Sequence, residues 1–230
     1  MNHRYYNKTT GQQLKIQLII AATAVTVIIL SVWLSVLSGV YLIPILTLAI
    51  VLSIIAPFFD TPSMKKNGRL IYYSPLFLTE KEKNGMIKMH GGTLFDYVFV
   101  IDRKLSGNQR TNFIIQQYLQ GLLNLIEKYE DKNETNLKVK GTSYIMNERT
   151  ARKVGFRVVE TDYIQKIIMI YNYFNLLLSY SIARARLSFP NLNSIITFQA
   201  SLSELMEKKK TISELNNRLK GTIADNPEVH

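Results

Sequence analysis

The run IQLIIAATAVTVIILSVWLSVLSGVYLIPILTLAIVLSIIAPFF, residues 16–59, has no charged side chain over 44 positions. One membrane-spanning helix needs about 20 apolar residues. A single straight helix of this length would measure about 65 Å at about 1.5 Å per residue, so two spans joined by a tight turn fit the run better. Gly39 permits unusual backbone dihedrals and Pro44 interrupts helices. We therefore predict spans at 17–37 and 40–59.

The charges that flank this helical hairpin predict its orientation. The turn between the spans has no charge. The cations on the outer sides of the spans are Arg4, Lys8, Lys15, Lys65, Lys66 and Arg69. By the positive-inside rule, residues 1–16 are a basic cytosolic tail and both termini lie in the cytoplasm. A signal peptide would have a shorter apolar core of about 7–15 residues, and a buried hairpin of a soluble protein normally shows polar faces.

Composition restricts the chemistry that the chain can perform. The chain has no cysteine, which excludes disulfides and thiolate metal sites. Its histidines are His3, His90 and His230. Because two of them lie near the termini, His90 is the one expected inside a fold, and no metal site is expected. No Asp or Glu precedes Asp60, and from Asp60 onward 25 Lys and Arg residues against 17 acidic ones leave a net charge of +8.

Downstream of the hairpin, residues 60–200 combine strand-like and helix-like patterns, and residues 201–230 add an amphipathic helix and a tail. The predicted strands are 69–78 (ended or confined to a sheet edge by Pro75), 86–92, 93–101, 137–146, 156–160 and 193–200. The predicted helices are 107–130, 148–154, 162–187 and 201–220. The predicted fold class is α/β (α+β): a two-span helical hairpin followed by a cytosolic domain with a mixed sheet and two long helices.

Two of these helices carry further predictions. The helix at 162–187 has no charge from Ile167 to Ile182, which is typical of a core helix, with a segment that lies against the bilayer as the alternative. The amphipathic helix at 201–220, which Gly221 is expected to end, is the predicted docking element for a partner.

The segment SYIMNERTARKVGF (143–156) leads from a strand through a short basic helix to another strand. Together with the order of elements over 95–160, it resembles the central part of the GNAT N-acyltransferase fold. The residues that match the family's Asn-x-x-Ala…Gly-Phe segment are Asn147, Ala151, Gly155 and Phe156. The resemblance implies that the turn RKLSGNQ (103–109), at the start of a helix, binds the pyrophosphate of acyl-CoA. The cofactor-binding residues that it implies are Arg103, Lys104, Ser106, Gly107, Asn108, Gln109 and Arg110.

The segment HGGTLFDY (90–97) supplies two candidate catalytic residues, His90 and Asp96. Histidine titrates near neutrality, and a carboxylate is its usual acid–base partner. In an extended strand the two would lie about 20 Å apart, so only a bend at Gly91–Gly92 brings them together. The alternative is a structural bend with a histidine that is satisfied elsewhere.

Two functions follow from the sequence. The first is an integral membrane protein that presents a basic cytosolic α/β domain to a protein partner, to anionic lipid or to its own copies, with no cofactor. The second is a membrane-tethered, GNAT-like acyltransferase that uses acyl-CoA. An enzyme should present free N–H groups in the loop 102–110, whereas a binding module can fill that space with side chains. Nucleic acid is not expected, because the chain has no recognition-helix motif and no aromatic stacking platform.

The basic clusters ERTARK (148–153) and EKKK (207–210) are compatible with the first function. Each Lys or Arg close to an anionic membrane surface adds on the order of 1 kcal/mol to binding. The alternative interpretation is that both clusters are solvated helix faces.

Overall fold

The computed structural model describes residues 2–130, 137–143 and 148–224, and it confirms the predicted α/β class. The helices are α1 (Thr10–Ser38), α2 (Leu42–Lys66), α3 (Leu94–Val100), α4 (Gly107–Glu130), α5 (Glu148–Lys153), α6 (Tyr163–Tyr171), α7 (Tyr173–Arg184), α8 (Leu202–Glu207) and α9 (Lys209–Ala224). The strands are β1 (Leu70–Ser74), β2 (Phe77–Glu80), β3 (Met86–Gly91), β4 (Lys138–Ser143), β5 (Arg157–Val159) and β6 (Ile196–Ser201).

The helices α1 and α2 are each long and apolar enough to cross a membrane, and they pack against each other as a hairpin. Gly39 ends α1 with a left-handed φ of 70°, as the sequence predicts for the turn. Pro44 does not break a helix. It is the third residue of α2, where a backbone N–H has no intrahelical acceptor in any case. Both helices extend beyond the predicted spans, since α1 begins at Thr10 and α2 continues to Lys66.

The six strands of the described residues form one mixed sheet in the order β1-β2-β3-β4-β6-β5. Neighbours are antiparallel except β3 and β4, which are parallel and are connected through α3 and α4. The pairing of β3 with β4 ends at Met89 and Gly141. Beyond that point β3 pairs only with β2, and β4 only with β6. The sheet therefore splits between the carboxyl ends of its two parallel strands.

The predicted strand 93–101 is wrong, because this run forms the helix α3. Thr93 and Asp96 make a capping box in which the carboxylate accepts hydrogen bonds from the backbone N–H and the hydroxyl of Thr93. Such a box fixes the first turn of a helix. The run is apolar nearly throughout because α2, α7 and the N-terminal residues cover α3 on several sides, and a short buried helix has the same pattern as a buried strand.

Two further predicted elements are divided in the structure. The predicted strand 69–78 is the hairpin of β1 and β2, and Pro75 lies in its turn. The predicted helix 162–187 is the pair α6 and α7, which meet at Asn172. The side chain of Asn172 donates a hydrogen bond to the carbonyl of Ile168, one turn earlier, as asparagine does where a helix is interrupted.

The apolar face of the C-terminal helix is not a free docking surface. The predicted helix 201–220 is divided at Lys208 into α8 and α9, and α9 continues through Gly221. α9 packs along α4, with Ile212 completely buried and Leu219 against the same core. The docking prediction for this helix is therefore wrong, because its apolar face completes the core of the domain itself.

The residues ahead of α1 fold back onto the α/β domain. The Arg4 guanidinium donates hydrogen bonds of 2.8–2.9 Å to the carbonyl oxygens of Val98, Phe99 and Ile101 at the end of α3. A cation at this position complements the negative end of a helix. Tyr5 is 2% exposed and packs against α3. The start of α1 and the α/β domain therefore lie at the same end of the helical hairpin.

Candidate functional site

A cavity of about 430 Å³ lies where β3 and β4 separate. Its walls are the split end of the sheet, one side of α4, the last turns of α2 and the pair α6–α7. The apolar lining includes Pro57, Leu78, Met89, Leu122, Met169 and Phe198. The volume lies within the range of about 300–1,000 Å³ for small-molecule sites. Open α/β sheets bind ligands beyond the carboxyl ends of their parallel strands, and β3 and β4 are such a pair, so size and position make this cavity the candidate binding site.

Three pairs of hydroxyl groups lie at the cavity wall. The pairs of hydroxyl oxygens are Thr61 with Thr93 at 3.3 Å, Tyr118 with Tyr97 at 3.3 Å and Thr142 with Thr197 at 3.1 Å. Gly91 leaves room for the Tyr118 phenol, since a Cβ at this glycine would lie 2.2 Å from the phenol oxygen. Burial raises the pKa of Tyr118 to about 12, so the phenol is neutral at physiological pH. These parts of the wall are therefore polar but uncharged.

The two candidate catalytic residues have separate partners. His90 lies at the rim of the cavity, where its Nε2 is 3.0 Å from Glu80 Oε1 and the two side chains are 44% and 42% exposed. The hydrogen bond to His90 lowers the pKa of Glu80. Asp96 is completely buried and makes its contacts with other residues. The bend at Gly91–Gly92 therefore does not produce a hydrogen-bonded His90–Asp96 pair.

The histidine that meets Asp96 is His3, which is completely buried. Its Nε2 lies 3.2 Å from Asp96 Oδ1, and its ring stacks on Phe95 with centroids 5.1 Å apart. The same Asp96 oxygen accepts a 2.7 Å hydrogen bond from the Tyr72 phenol, and the other oxygen accepts two from Thr93. This buried polar cluster adjoins the cavity, because Thr93 belongs to both.

The sequence prediction that only His90 sits inside the fold is therefore wrong. His3 is buried because Arg4 ties the chain to α3 and because Tyr5 and Tyr6 pack around the imidazole and Phe95. The aromatic content of these N-terminal residues is the sequence signal that could have indicated the burial of His3, since a solvated tail does not need two consecutive tyrosines.

Tyr72 predicts a loss of stability at alkaline pH. Burial, and then the charge of Asp96, raise the pKa of the Tyr72 phenol above its ordinary value near 10. The folded state therefore disfavours the phenolate. The contribution of Tyr72 to the free energy of unfolding is complete below about pH 10. It falls as the pH rises further, by up to about 1.4 kcal/mol per pH unit. We expect Tyr72→Phe to flatten this decline in unfolding experiments between pH 9 and about 11.5.

Tyr163→Phe is the control for this prediction, because Tyr163 is 75% exposed. The variant should keep the alkaline decline of the wild-type chain. An equal slope in the wild-type chain and in Tyr72→Phe would contradict the prediction.

The seven predicted cofactor-binding residues lie together around the start of α4, and none of them lines the cavity. Ser106 and Gln109 form a capping box, in which the N–H of each donates to the side chain of the other. The buried Arg110 guanidinium donates to the carbonyls of Arg103, Leu105 and Ile182 at 2.6–2.9 Å. The structure therefore fills much of this turn with its own side chains.

The other residues of the turn differ in their exposure. A Cβ at Gly107 would lie 2.4 Å from the carbonyl oxygen of Arg184, so the end of α7 closes over the start of α4. Lys104 and Asn108 are exposed. Arg103 lies in a shallow surface depression beside the N-terminal residues Arg4 and Lys8. Asn147, which matches the asparagine of the GNAT-like segment, lies outside the described residues.

Comparison with known proteins finds no match: no family model, no curated protein and no solved structure is similar to this chain. The candidate function therefore depends on the geometry of the molecule.

Proposed function

We propose that this chain is an integral membrane protein whose cytosolic α/β domain binds the hydrocarbon chain of a membrane lipid in the cavity between β3 and β4. The observation that carries the proposal is the position of the cavity. Its wall includes Pro57, Thr61 and Met64 of α2, so the cavity begins at the base of an apolar helix and runs into the split of the sheet. A ligand that leaves the bilayer along α2 would therefore arrive beside the cavity wall that these residues form.

The pair α6–α7 supports this proposal because it touches α2 within the apolar run. Asn175 donates to the backbone carbonyl of Ser53, and the Ser53 hydroxyl lies 3.4 Å from the carbonyl of Tyr171. Ser53 precedes Asp60 by seven residues, which places this contact about 10 Å along α2 from the first acidic side chain. The interfacial alternative for the predicted helix 162–187 therefore has a physical basis.

The outer face of α6 is apolar and exposed, as a lipid-facing helix requires. Its exposed apolar residues are Tyr163, Ile164, Ile167, Ile170 and Tyr171, from 50% to 75% exposed. Lys166 is also exposed, and Ile168 lines the cavity. The inner face of the same pair, with Met169 and Leu176, lines the cavity. In the proposed arrangement α6 separates the cavity from the bilayer, and its displacement admits the lipid chain.

The basic depression near the start of α1 supports a cytoplasmic, anionic membrane surface at this end of the hairpin. It is lined by Arg4, Lys8 and Arg103 together with Asn7 and Gln12. Gln12 belongs to the first turn of α1, so these cations lie where the apolar helix begins. Cations near an anionic leaflet favour binding by on the order of 1 kcal/mol each. The proposed topology has both termini in the cytoplasm.

The test is photolabelling of the full chain in lipid nanodiscs with a fatty acid that carries a diazirine in the middle of its chain. We expect saturable adducts on the sheet residues Leu78, Met89 and Phe198, which excess unlabelled fatty acid should remove. Adducts confined to α1, α2 and α6, with none on the sheet, would show contact with the bilayer alone and would overturn the proposal.

Acyl transfer from acyl-CoA is the second candidate function. The cavity at the carboxyl ends of a parallel strand pair supports it, as does the order of elements from β3 to β5, with α3 as an additional helix. A ligand at 100 times its dissociation constant stabilises a protein by about 2.7 kcal/mol. A rise in melting temperature with acyl-CoA that is lost in the double variant Arg103→Ala, Lys104→Ala would favour the enzyme. No shift at millimolar acyl-CoA would leave lipid binding alone.

A further inference from the structure

A polar recess of about 170 Å³ adjoins the apolar cavity. The cavity and the recess share the lining residues Met89, His90 and Thr142. The recess is also lined by Asp162 and Gln165 from the start of α6. It therefore lies beside the split of the sheet, where β3 and β4 meet the first turn of α6.

Two lysines face each other across β3 and β4 in this recess. Lys88 and Lys140 are register partners on the two neighbouring strands, and both line the recess. Ile87 and Val139, one position earlier on each strand, lie in the core with the apolar face of α4. The lysines therefore lie on the opposite face of the sheet. Like charges that face each other on adjacent strands repel, and an anion bound between them removes this repulsion.

The charged groups of the recess differ in their partners. Lys88 Nζ lies 3.9 Å from one carboxylate oxygen of Glu80, and His90 Nε2 lies 3.0 Å from the other. The carboxylate of Asp162 caps the start of α6. Among the residues that the structure describes, Lys140 has no ion-pair partner. Its ammonium group is therefore available to an anion that enters the recess.

The burial of these side chains favours such an anion further. Lys140 is half-buried, so a charged partner is screened less there than on an open surface. Hydrogen bonds between an ammonium group and a carboxylate or phosphate are among the strong ones in proteins. Gln165, which is also half-buried, adds an amide NH₂ group that can donate to the same anion.

We propose that the lipid bound in the cavity has an anionic polar end, a carboxylate or a phosphate, which lies in the recess and accepts hydrogen bonds from Lys140. This inference rests on the proposed lipid-binding function and specifies the chemical class of the lipid. The hydrocarbon chain occupies the apolar cavity and passes His90 and Thr142, which belong to both spaces. Lys88 adds a second positive charge beside the anion.

The experiment uses two unlabelled competitors against the diazirine fatty acid, with the full chain in nanodiscs. One is a long-chain alkyl phosphate, and the other is the alcohol of the same chain length, which has no charge. The quantity compared is the ratio of the concentrations at which the two displace the label from Leu78 and Phe198, because this ratio cancels any change in the affinity of the label. We expect Lys140→Met to lower the advantage of the phosphate roughly tenfold, the effect of one charge-assisted hydrogen bond.

Lys138→Met is the matched control for this substitution. Lys138 lies two residues earlier on the same strand and on the same face of the sheet, is exposed, and does not line the recess. This variant loses the same charge and should keep the ratio of the wild-type chain. Lys140→Arg keeps the charge at the recess and should retain most of the advantage of the phosphate.

Each outcome has a defined meaning. A loss of the advantage in Lys140→Met but not in Lys138→Met supports the inference. An unchanged ratio in Lys140→Met, or an equal loss in both variants, overturns the inference and leaves the proposed function standing. Displacement by the alcohol in Lys140→Met shows that the cavity of this variant is intact.

Inorganic phosphate is the third competitor, because it has the charge without the hydrocarbon chain. We expect no displacement at the concentration at which the alkyl phosphate is effective. Equal displacement by both would show that the recess binds a free anion, which also overturns the inference. If neither the alkyl phosphate nor the alcohol displaces a saturable label from the sheet, the proposed function itself fails.

Discussion

Replacement of Asp96 by alanine is expected to lower the free energy of unfolding by about 3 kcal/mol or more. The carboxylate is completely buried and accepts hydrogen bonds from the Tyr72 phenol and from the hydroxyl and N–H of Thr93, with His3 Nε2 at 3.2 Å. Its removal leaves several buried donors without an acceptor and removes the capping box of α3.

The measurement is thermal or denaturant unfolding of the purified chain in detergent micelles. Asp102→Ala is the control, because Asp102 is exposed and caps only the N–H of Lys104, and surface changes of this kind usually stay within about 0.5 kcal/mol. Asp96→Asn should be intermediate, since an amide keeps one acceptor oxygen. Equal stability of the Asp96→Ala and Asp102→Ala variants would contradict the assignment of Asp96 as the centre of the cluster.

The elements that the sequence predicted well are those with local signals at both ends. The predicted helix 107–130 has the bounds of α4, because Ser106 and Gln109 form its capping box and an apolar stripe continues to Tyr129. Gly39 likewise ends α1 in the left-handed conformation. In each case the physical cause lies within a few residues of the boundary.

The candidate site could not be predicted in the same way, because its parts are distant in the chain. His3 and Asp96 are 93 positions apart, and Arg110 reaches a carbonyl 72 positions away. The cavity combines α2, the sheet, α4 and α6–α7, and no local pattern reports that β3 and β4 stop pairing after Met89. Secondary-structure periodicity gives the direction of a side chain relative to its own element, but not the element that it meets.

Substitution of Leu176 by tryptophan is expected to reduce saturable photolabelling of the sheet residues by at least about tenfold, because a side chain that fills the cavity removes the space for the hydrocarbon chain. Leu176 lies on α7 and lines the cavity, one position after Asn175. The indole occupies a site between α7 and the sheet that the lipid chain would otherwise fill. Labelling of α6, whose outer face is exposed, should continue and report that the protein remains in the bilayer.

Leu177→Trp is the matched control for this substitution. Leu177 is the next residue on the same helix, is half-buried like Leu176 and does not line the cavity. The two variants therefore carry the same change in size and hydrophobicity on the same helix and differ in the side of α7 that they alter. If Leu177→Trp keeps the adducts on Leu78 and Phe198 while Leu176→Trp loses them, the label enters through the space between α7 and the sheet. If both variants keep these adducts, the hydrocarbon chain does not occupy the cavity, and the lipid-binding proposal is wrong.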